Sequence, residues 1–160
     1  MFDEPPEFRM APLDMDPRLT VRAIEIAYVL AYRSLDVDSR RVLAVALPRL
    51  VTGNTRPVEP GLGQAVFVSI SECCMVWGLD DSVAAAARLS CACVGLQAAT
   101  VPFRWYQESG SPGIIRMGWL ASHLVTERPW GAGLIFTSQI LAVAEMLLRE
   151  IRSDPEPVRP

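Results

Sequence analysis

Lysine is absent from this chain of 160 residues, so all 15 of its basic residues are arginines. The 18 acidic residues give a formal net charge of -3, and the arginines form no basic block. Nucleic-acid binding relies on basic side chains that neutralise phosphates, so the composition gives it little support and we expect no nucleic-acid partner. We attribute the missing lysine to GC-rich codon usage; the alternative is escape from lysine-directed ubiquitin attachment.

Signatures of catalysis are also missing. The single histidine, His123, stands beside Ser122 near the end of a predicted helix, with no sign of the acid and nucleophile that a catalytic triad needs. The chain contains no Gly-x-Ser-x-Gly elbow, no phosphate-binding Walker loop and no His-rich metal pattern. We therefore expect no enzyme activity, no catalytic residues, no cofactor and no bound metal.

Cysteine is scarce and lacks the spacing of metal knuckles or redox motifs. The four residues form two close pairs, Cys73 with Cys74 and Cys91 with Cys93, inside apolar segments. We expect buried, reduced thiols in a reducing compartment. The N-terminus is acidic and lacks the basic start and apolar core of a signal peptide, and no apolar anchor follows the last predicted helix. A cytoplasmic location is the expectation.

The most apolar part of the chain is the stretch 82–101. Its only strongly polar side chains are Arg88 and Gln97, and four consecutive alanines near its start favour a helix. Arg88 and the small size of the other residues argue against a membrane span. We predict the central helix of a bundle, buried on all sides, with Ala85 and Ala92 almost fully buried.

The rest of the chain shows mainly helical periodicity. Residues 1–16 are acidic and Pro-rich and are expected to be flexible, 17–152 form one domain, and 153–160 are a polar tail. Besides the central helix we predict helices and one short amphipathic piece, separated by Gly- and Pro-rich breaks. The helices span about 17–35, 40–51 with a kink at Pro48, 64–75, 113–126 and 133–151, and the short piece spans 103–108. A strand at 64–75 is the alternative, since β-branched residues are frequent there. The predicted class is all-α, a compact bundle of about seven to eight helices.

Two tryptophan junctions flank the predicted central helix. Trp77-Gly78 precedes it, and the segment 119–135, from Trp119 through Arg128-Pro129-Trp130-Gly131, follows two elements later. This arrangement resembles the Bcl-2 family of apoptosis regulators, whose first and second homology motifs place Trp and Gly at such junctions. The chain departs from that family at Leu79, where the family has Arg, and in a degenerate third motif at 47–53. The divergence looks like that of a viral homologue.

The resemblance implies an anti-apoptotic regulator that binds the amphipathic BH-3 motif helices of pro-apoptotic proteins in a hydrophobic groove. Trp77, Trp119, Trp130 and Gly131 would be motif or structural residues, although ordinary junction tryptophans are the alternative. Arg88 could reach the acid of a partner, but we favour a pair with an internal acid. The residues expected to form the groove are Leu50, Phe67, Ile70, Met75, Gly78, Leu79, Val83, Ala86 and Arg88.

The alternative function is that of a helical structural or assembly protein that uses its apolar face for self-association. Half of the residues are hydrophobic, and a large exposed apolar patch usually marks an interface. We therefore expect a homodimer under either interpretation. The resemblance also implies association with mitochondria.

Overall fold

The computed structural model describes residues 17–58, 61, 63–106 and 112–154. The predicted flexible segment 1–16 lies outside these residues, as does the predicted tail from 155 onward. The described part contains helices and strands in roughly equal number. In chain order they are α1 (Pro17–Ser34), α2 (Val37–Val51), β1 (Arg56–Val58), β2 (Gly63–Ser69), α3 (Ile70–Trp77), α4 (Ser82–Ala98), β3 (Thr100–Tyr106), β4 (Pro112–Gly118), β5 (Leu120–Glu127), β6 (Trp130–Phe136) and α5 (Ser138–Ser153).

The first two helices agree with the sequence pattern. α1 ends within a residue of the predicted boundary. α2 begins one turn earlier than predicted because Asp36 is its N-cap and accepts a hydrogen bond from the Ser39 amide at 2.7 Å. Pro48 lies inside α2, as expected.

The predicted central helix exists as α4, but it is buried on one side only. Ala85 and Ala92 are buried, which confirms that prediction. Val83 and Val94, in contrast, are 70% and 55% exposed. The small side chains of α4 predict enclosure on all sides, but the helix has one face packed on the core and one face open to solvent.

The all-α prediction is wrong. The predicted helix 64–75 is a strand, β2, followed directly by a short helix, α3. The change occurs at Ser69, which forms a capping box with Glu72 and so begins a helix at the next residue. Because the strand and the helix are joined without a loop, their combined apolar pattern also fits one longer helix. The strand alternative is correct for the first half of the segment 64–75.

The later part of the chain shows the same error. The predicted helix 113–126 is β4 and β5, the predicted helix 133–151 is most of β6 followed by α5, and the short piece 103–108 begins in β3. The run 130–136 is almost entirely apolar and buried from Gly131 onward. Periodicity cannot separate a short buried strand from a buried helix.

The strands form two antiparallel sheets. The larger has the order β1-β2-β6-β5, and the smaller is the hairpin β3-β4. In the larger sheet β6 pairs with β2 on one side and with β5 on the other, with Gly133 opposite both Phe67 and Leu124. A register shift between Leu120 and Ser122 bends the start of β5.

The helices pack around this sheet. α2 contacts both α4 and α5, α1 packs against α5, and α4 lies against β5. Trp119, at the β4–β5 junction, is buried edge-to-face against Tyr28 of α1, with ring centres 5.1 Å apart. Burial raises the pKa of Tyr28 to about 12. Within the described residues, no helix combines the length and apolar character needed to cross a membrane.

Candidate functional site

Two helices joined by a tight turn form the centre of the site. α3 ends at Trp77, and Gly78 follows in the left-handed conformation with φ of 62°. Its amide bonds back to α3 carbonyls, which is the usual glycine C-cap. Asp81 then caps α4 by accepting a hydrogen bond from the Val83 amide at 2.9 Å. The Trp-Gly pair at this junction is therefore a helix stop.

A partly buried charge cluster fixes α4 to α2. Asp38 of α2 accepts hydrogen bonds from Nε1 of Trp77 at 2.7 Å and from Nη2 and Nε of Arg88 at 2.7 and 3.1 Å. The Arg88 guanidinium also lies over the Trp77 ring, 5.2 Å from its centre. Burial alone would raise the pKa of Asp38, but the bonds from Arg88 and Trp77 outweigh it and hold the pKa below its ordinary value. Arg88 thus pairs with an internal acid, the interpretation we favoured.

A second cluster fixes the start of α3. Arg49 of α2 pairs with Glu72 and donates from Nη1 to the Phe67 carbonyl at 2.6 Å. Glu72 also accepts from the Ser69 amide at 2.9 Å. The hydrogen bonds from Arg49 hold the pKa of Glu72 below its ordinary value. α2 is therefore joined to each of these helices by one ion pair, Arg49 with Glu72 in the first turn of α3 and Asp38 with Arg88 of α4.

The β5–β6 hairpin lies beside α4. Its tip is the segment 127–130, where Arg128-Pro129 is a cis peptide bond. Gly131, just past the tip, packs so close to β2 that a Cβ there would lie 2.8 Å from Cζ of Phe67 and closer still to the Val68 carbonyl. A cavity of about 20 Å³ between hairpin and helix is bounded by Trp130 and Ser90, among others. The tip thus projects near the first half of α4.

The outward side of α4 and the hairpin is uncharged at its centre. Arg88 is the only charged residue between Ser82 and Ala98, and it is engaged with Asp38. We define the α4–hairpin surface by seven of the exposed residues of the two elements. They are Val83, Ala87, Ser90, Cys91 and Val94 from α4, with Val125 and Trp130 from the hairpin.

Charges lie at the rim of this surface. Asp80, Asp81 and Glu127 are exposed acids, and Arg128 at the hairpin tip is an exposed base. At the opposite end, Nδ1 of His123 lies 2.5 Å from Oε1 of Gln97. The rim is therefore more acidic than basic.

The residues expected to form a groove lie in several places. Met75 and Val83 are exposed, Gly78 and the half-buried Leu79 lie in the turn, and Arg88 is tied to Asp38. The remaining four lie in three places. Ile70 and Ala86 line the small cavity, Phe67 packs in β2, and Leu50 lines a cleft with α5.

The motif tryptophans have separate structural roles. Trp77 and Trp119 are buried, whereas Trp130 is 42% exposed at the hairpin tip. Among the cysteines, Cys73 and Cys93 are buried, Cys74 is half-buried and Cys91 is exposed. Burial raises the pKa of Cys73 to about 12 and that of Cys93 to about 11. The expectation of buried thiols is confirmed for these two.

Sequence reasoning missed the hairpin altogether. Its signals were the Arg128-Pro129 break between two segments rich in β-branched and apolar residues, and the glycines at 131 and 133. It also missed the capping-box sequence from Ser69 to Glu72, which marks the start of α3.

The arrangement defines a class of domain. A strand (β2), a helix–turn–helix (α3–α4) and a hairpin (β5–β6) whose second strand pairs with β2 have the arrangement of a winged helix, with α4 as the second helix and the hairpin as the wing.

Comparison with known proteins agrees with this class. No family model matches the chain, and no curated protein sequence is significantly similar to it. Five solved chains match. One is the WH1 domain of MSBI1.176, a replication protein isolated from a multiple sclerosis patient, with a TM-score of 0.61 and 17% identity over 80% of this chain and 94% of that one. The Bcl-2 resemblance and the apoptosis function it implied are therefore wrong.

Proposed function

We propose that this chain serves in DNA replication as a winged-helix assembly domain, which holds replication proteins together through the α4–hairpin surface. The structural likeness to the WH1 domain of a replication protein supports a role in replication. The proposal includes no catalytic step, and it retains the cytoplasmic location expected from the sequence.

The residues on the outward side of α4 favour contact with a protein over the reading of DNA bases. A recognition helix that reads bases presents Arg, Lys, Asn or Gln to the groove edges. The outward side of α4 instead presents Val83, Ala87, Ser90 and Val94, with Asp80 and Asp81 at its start. The one exposed amide of the helix, Gln97, lies in its last turn and contacts His123. Those two carboxylates would lie near phosphates and repel them. An apolar surface of this kind fits a protein partner.

A second candidate function is contact with the DNA backbone through the wing. Arg128 supports it, because this exposed residue lies at the hairpin tip, two residues before the partly exposed Trp130. Arginine and apolar wedges are the usual means of contacting a minor groove.

A titration of a fluorescently labelled mixed-sequence DNA duplex, followed by anisotropy at physiological salt, tests the proposal. We expect binding no tighter than the weak end of the non-specific range, a Kd of about 10⁻⁴ M. Micromolar binding that Ser90→Glu abolishes would overturn the proposal in favour of base-proximal contact by α4. Binding that Arg128→Ala abolishes and Ser90→Glu leaves unchanged would favour the second candidate instead.

A further inference from the structure

A cleft lies between α5 and the helices α1 and α2, lined by residues of all three. It measures about 270 Å³, just below the range of about 300–1,000 Å³ that is usual for small-molecule sites. Its apolar lining includes Leu50 and Val51 of α2 with Leu141 and Met146 of α5. Leu141 is 60% exposed. We call this the α5 cleft; its size suits one or two protein side chains.

Carboxylates stand at the rim of the α5 cleft. Glu25 of α1 and Glu145 of α5 both line it, together with Arg149. Glu25 lies 3.7 Å from the largely exposed Arg22, a weak surface pair. Glu145 is exposed and forms no ion pair with any residue that the structure describes. The cleft therefore combines apolar side chains of α2 and α5 with the carboxylate of Glu145, which is unpaired among the described residues, and Arg149 lies on the same rim.

The hairpin tip carries the complementary chemistry. Trp130 exposes part of an indole ring, and Arg128 exposes a guanidinium that pairs with no acid among the described residues. Trp and Arg are the side chains that most often dominate the energy of protein interfaces. The indole of Trp130 can pack on the apolar side chains of the α5 cleft, and the guanidinium of Arg128 can pair with the carboxylate of Glu145.

We propose that the hairpin tip of one copy of this chain inserts into the α5 cleft of a second copy, with Trp130 against Leu141 and Met146 and with Arg128 at Glu145. Tip and cleft belong to different elements, so each bound copy still offers a free tip or a free cleft. Such a head-to-tail contact extends into chains rather than closing as a twofold dimer. It differs in this respect from the homodimer expected from the sequence.

This contact rests on the assembly role proposed above and names a second copy of the chain as the partner of the hairpin tip. The experiment that tests this contact contains no DNA, so a negative result would contradict the contact without deciding the proposed role in replication. Sedimentation velocity of the full chain over a wide concentration range should show a weight-average sedimentation coefficient that keeps rising past the value for a dimer.

A charge swap identifies the two surfaces. Arg128→Glu and Glu145→Arg, each alone, should weaken association about tenfold or more, because like charges then face each other. The double variant, and an equimolar mixture of the two single variants, should recover association. Arg56→Glu is the matched control, since Arg56 is exposed on β1 and lies outside tip and cleft; it should leave association unchanged.

Three results would overturn the proposal. They are a monomer at every concentration, a dimer that neither single variant weakens, and a loss in both single variants that the double variant fails to restore. Both substituted side chains are exposed, so each variant should keep the wild-type circular dichroism spectrum and thermal midpoint, which separates lost contact from lost fold.

Discussion

The two sides of the α4–hairpin unit share similar residue types and differ in what surrounds them. On the inner side, Ala85, Leu89 and Ala92 of α4 face the core at 0–3% exposure, and Gly131 lies against β2. On the outer side, Val83 and Val94 are equally apolar but more than half exposed. The inner side is explained by folding, whereas the outer side needs a reason outside the folded chain.

That difference supports the proposal that the outer side is a contact surface. Surface valines gain nothing from being exposed, and single exposed ones need no explanation, but several on neighbouring elements mark an interface. Arg88, the one charged residue of α4, is held by Asp38. The helix therefore uses its charge for a contact with α2, and the centre of its outer side is uncharged.

The largest effect should come from Gly131 on the inner side. Gly131→Val would place a side chain against Phe67 and the Val68 backbone, where even a Cβ does not fit. We expect a loss of about 3 kcal/mol or more in the free energy of unfolding, since the strand backbone must shift. Urea denaturation followed by circular dichroism measures it. A loss below half of that would mean that β6 does not approach β2 this closely.

Ala85 and Ala87 form a matched pair two residues apart on opposite sides of α4. Ala85→Leu should cost about 1–3 kcal/mol by overpacking the core. Ala87→Leu, at an exposed position, should change stability by no more than about 0.5 kcal/mol. Chemical denaturation of the two variants in parallel gives the contrast. Equal losses would show that α4 is enclosed on both sides after all.

Asp38→Asn should have an intermediate effect that depends on pH. It removes the charge that Arg88 and Trp77 contact, and we expect a loss of about 1–2 kcal/mol near neutral pH, reduced because the pair is partly exposed. The folded-state pKa of Asp38 is depressed, so its contribution is complete above the unfolded-state pKa and disappears as pH falls through the folded-state value.

The stability difference between wild type and Asp38→Asn should therefore be constant from neutral pH down to about 5 and shrink below about pH 4. Thermal unfolding across that range measures it. A difference that grows as the solution becomes more acidic would contradict the stabilising role of the Asp38–Arg88 pair.

The smallest effect should come from the outer side. Val94→Asp introduces a charge at an exposed position of α4 and should change the free energy of unfolding by no more than about 0.5 kcal/mol. Differential scanning calorimetry against wild type checks it. A large loss would place Val94 in a packed contact within the fold and remove it from the α4–hairpin surface.

The sequence allowed prediction of those elements whose pattern was uninterrupted. α1 and α2 carry one apolar face each with a recognisable start, and the alanine-rich α4 has strong helix propensity. The burial of Ala85 and Ala92 followed from their two-turn spacing. Local signals sufficed there because tertiary contacts agreed with them.

The strands could not be assigned in the same way. β2 runs into α3 without a loop, and only Thr137 separates β6 from α5, so each pair reads as one long apolar segment. Whether such a segment forms a strand depends on pairing between residues far apart in the chain, such as Val66 with Leu134. Propensity carries no information about such pairing.

The candidate site was misjudged for a related reason. Trp77-Gly78 and Trp130-Gly131 resemble motifs of one family, but each glycine is required by the local backbone geometry. Gly78 supplies the positive φ of a helix C-cap, and Gly131 allows a close approach between strands. An internal acid for Arg88 was foreseeable, but its identity as Asp38, 50 residues away, was not.

The most direct test of the account is an NMR titration of the isotope-labelled chain with duplex DNA, following backbone amide signals. The account predicts that the signals of Val83, Ala87, Ser90 and Val94 stay unchanged at DNA concentrations that saturate known winged-helix DNA binders. Progressive shifts of these α4 signals, weakened by added salt, would show phosphate contact at this helix. That result would contradict the claim that the α4–hairpin surface is built for a protein partner.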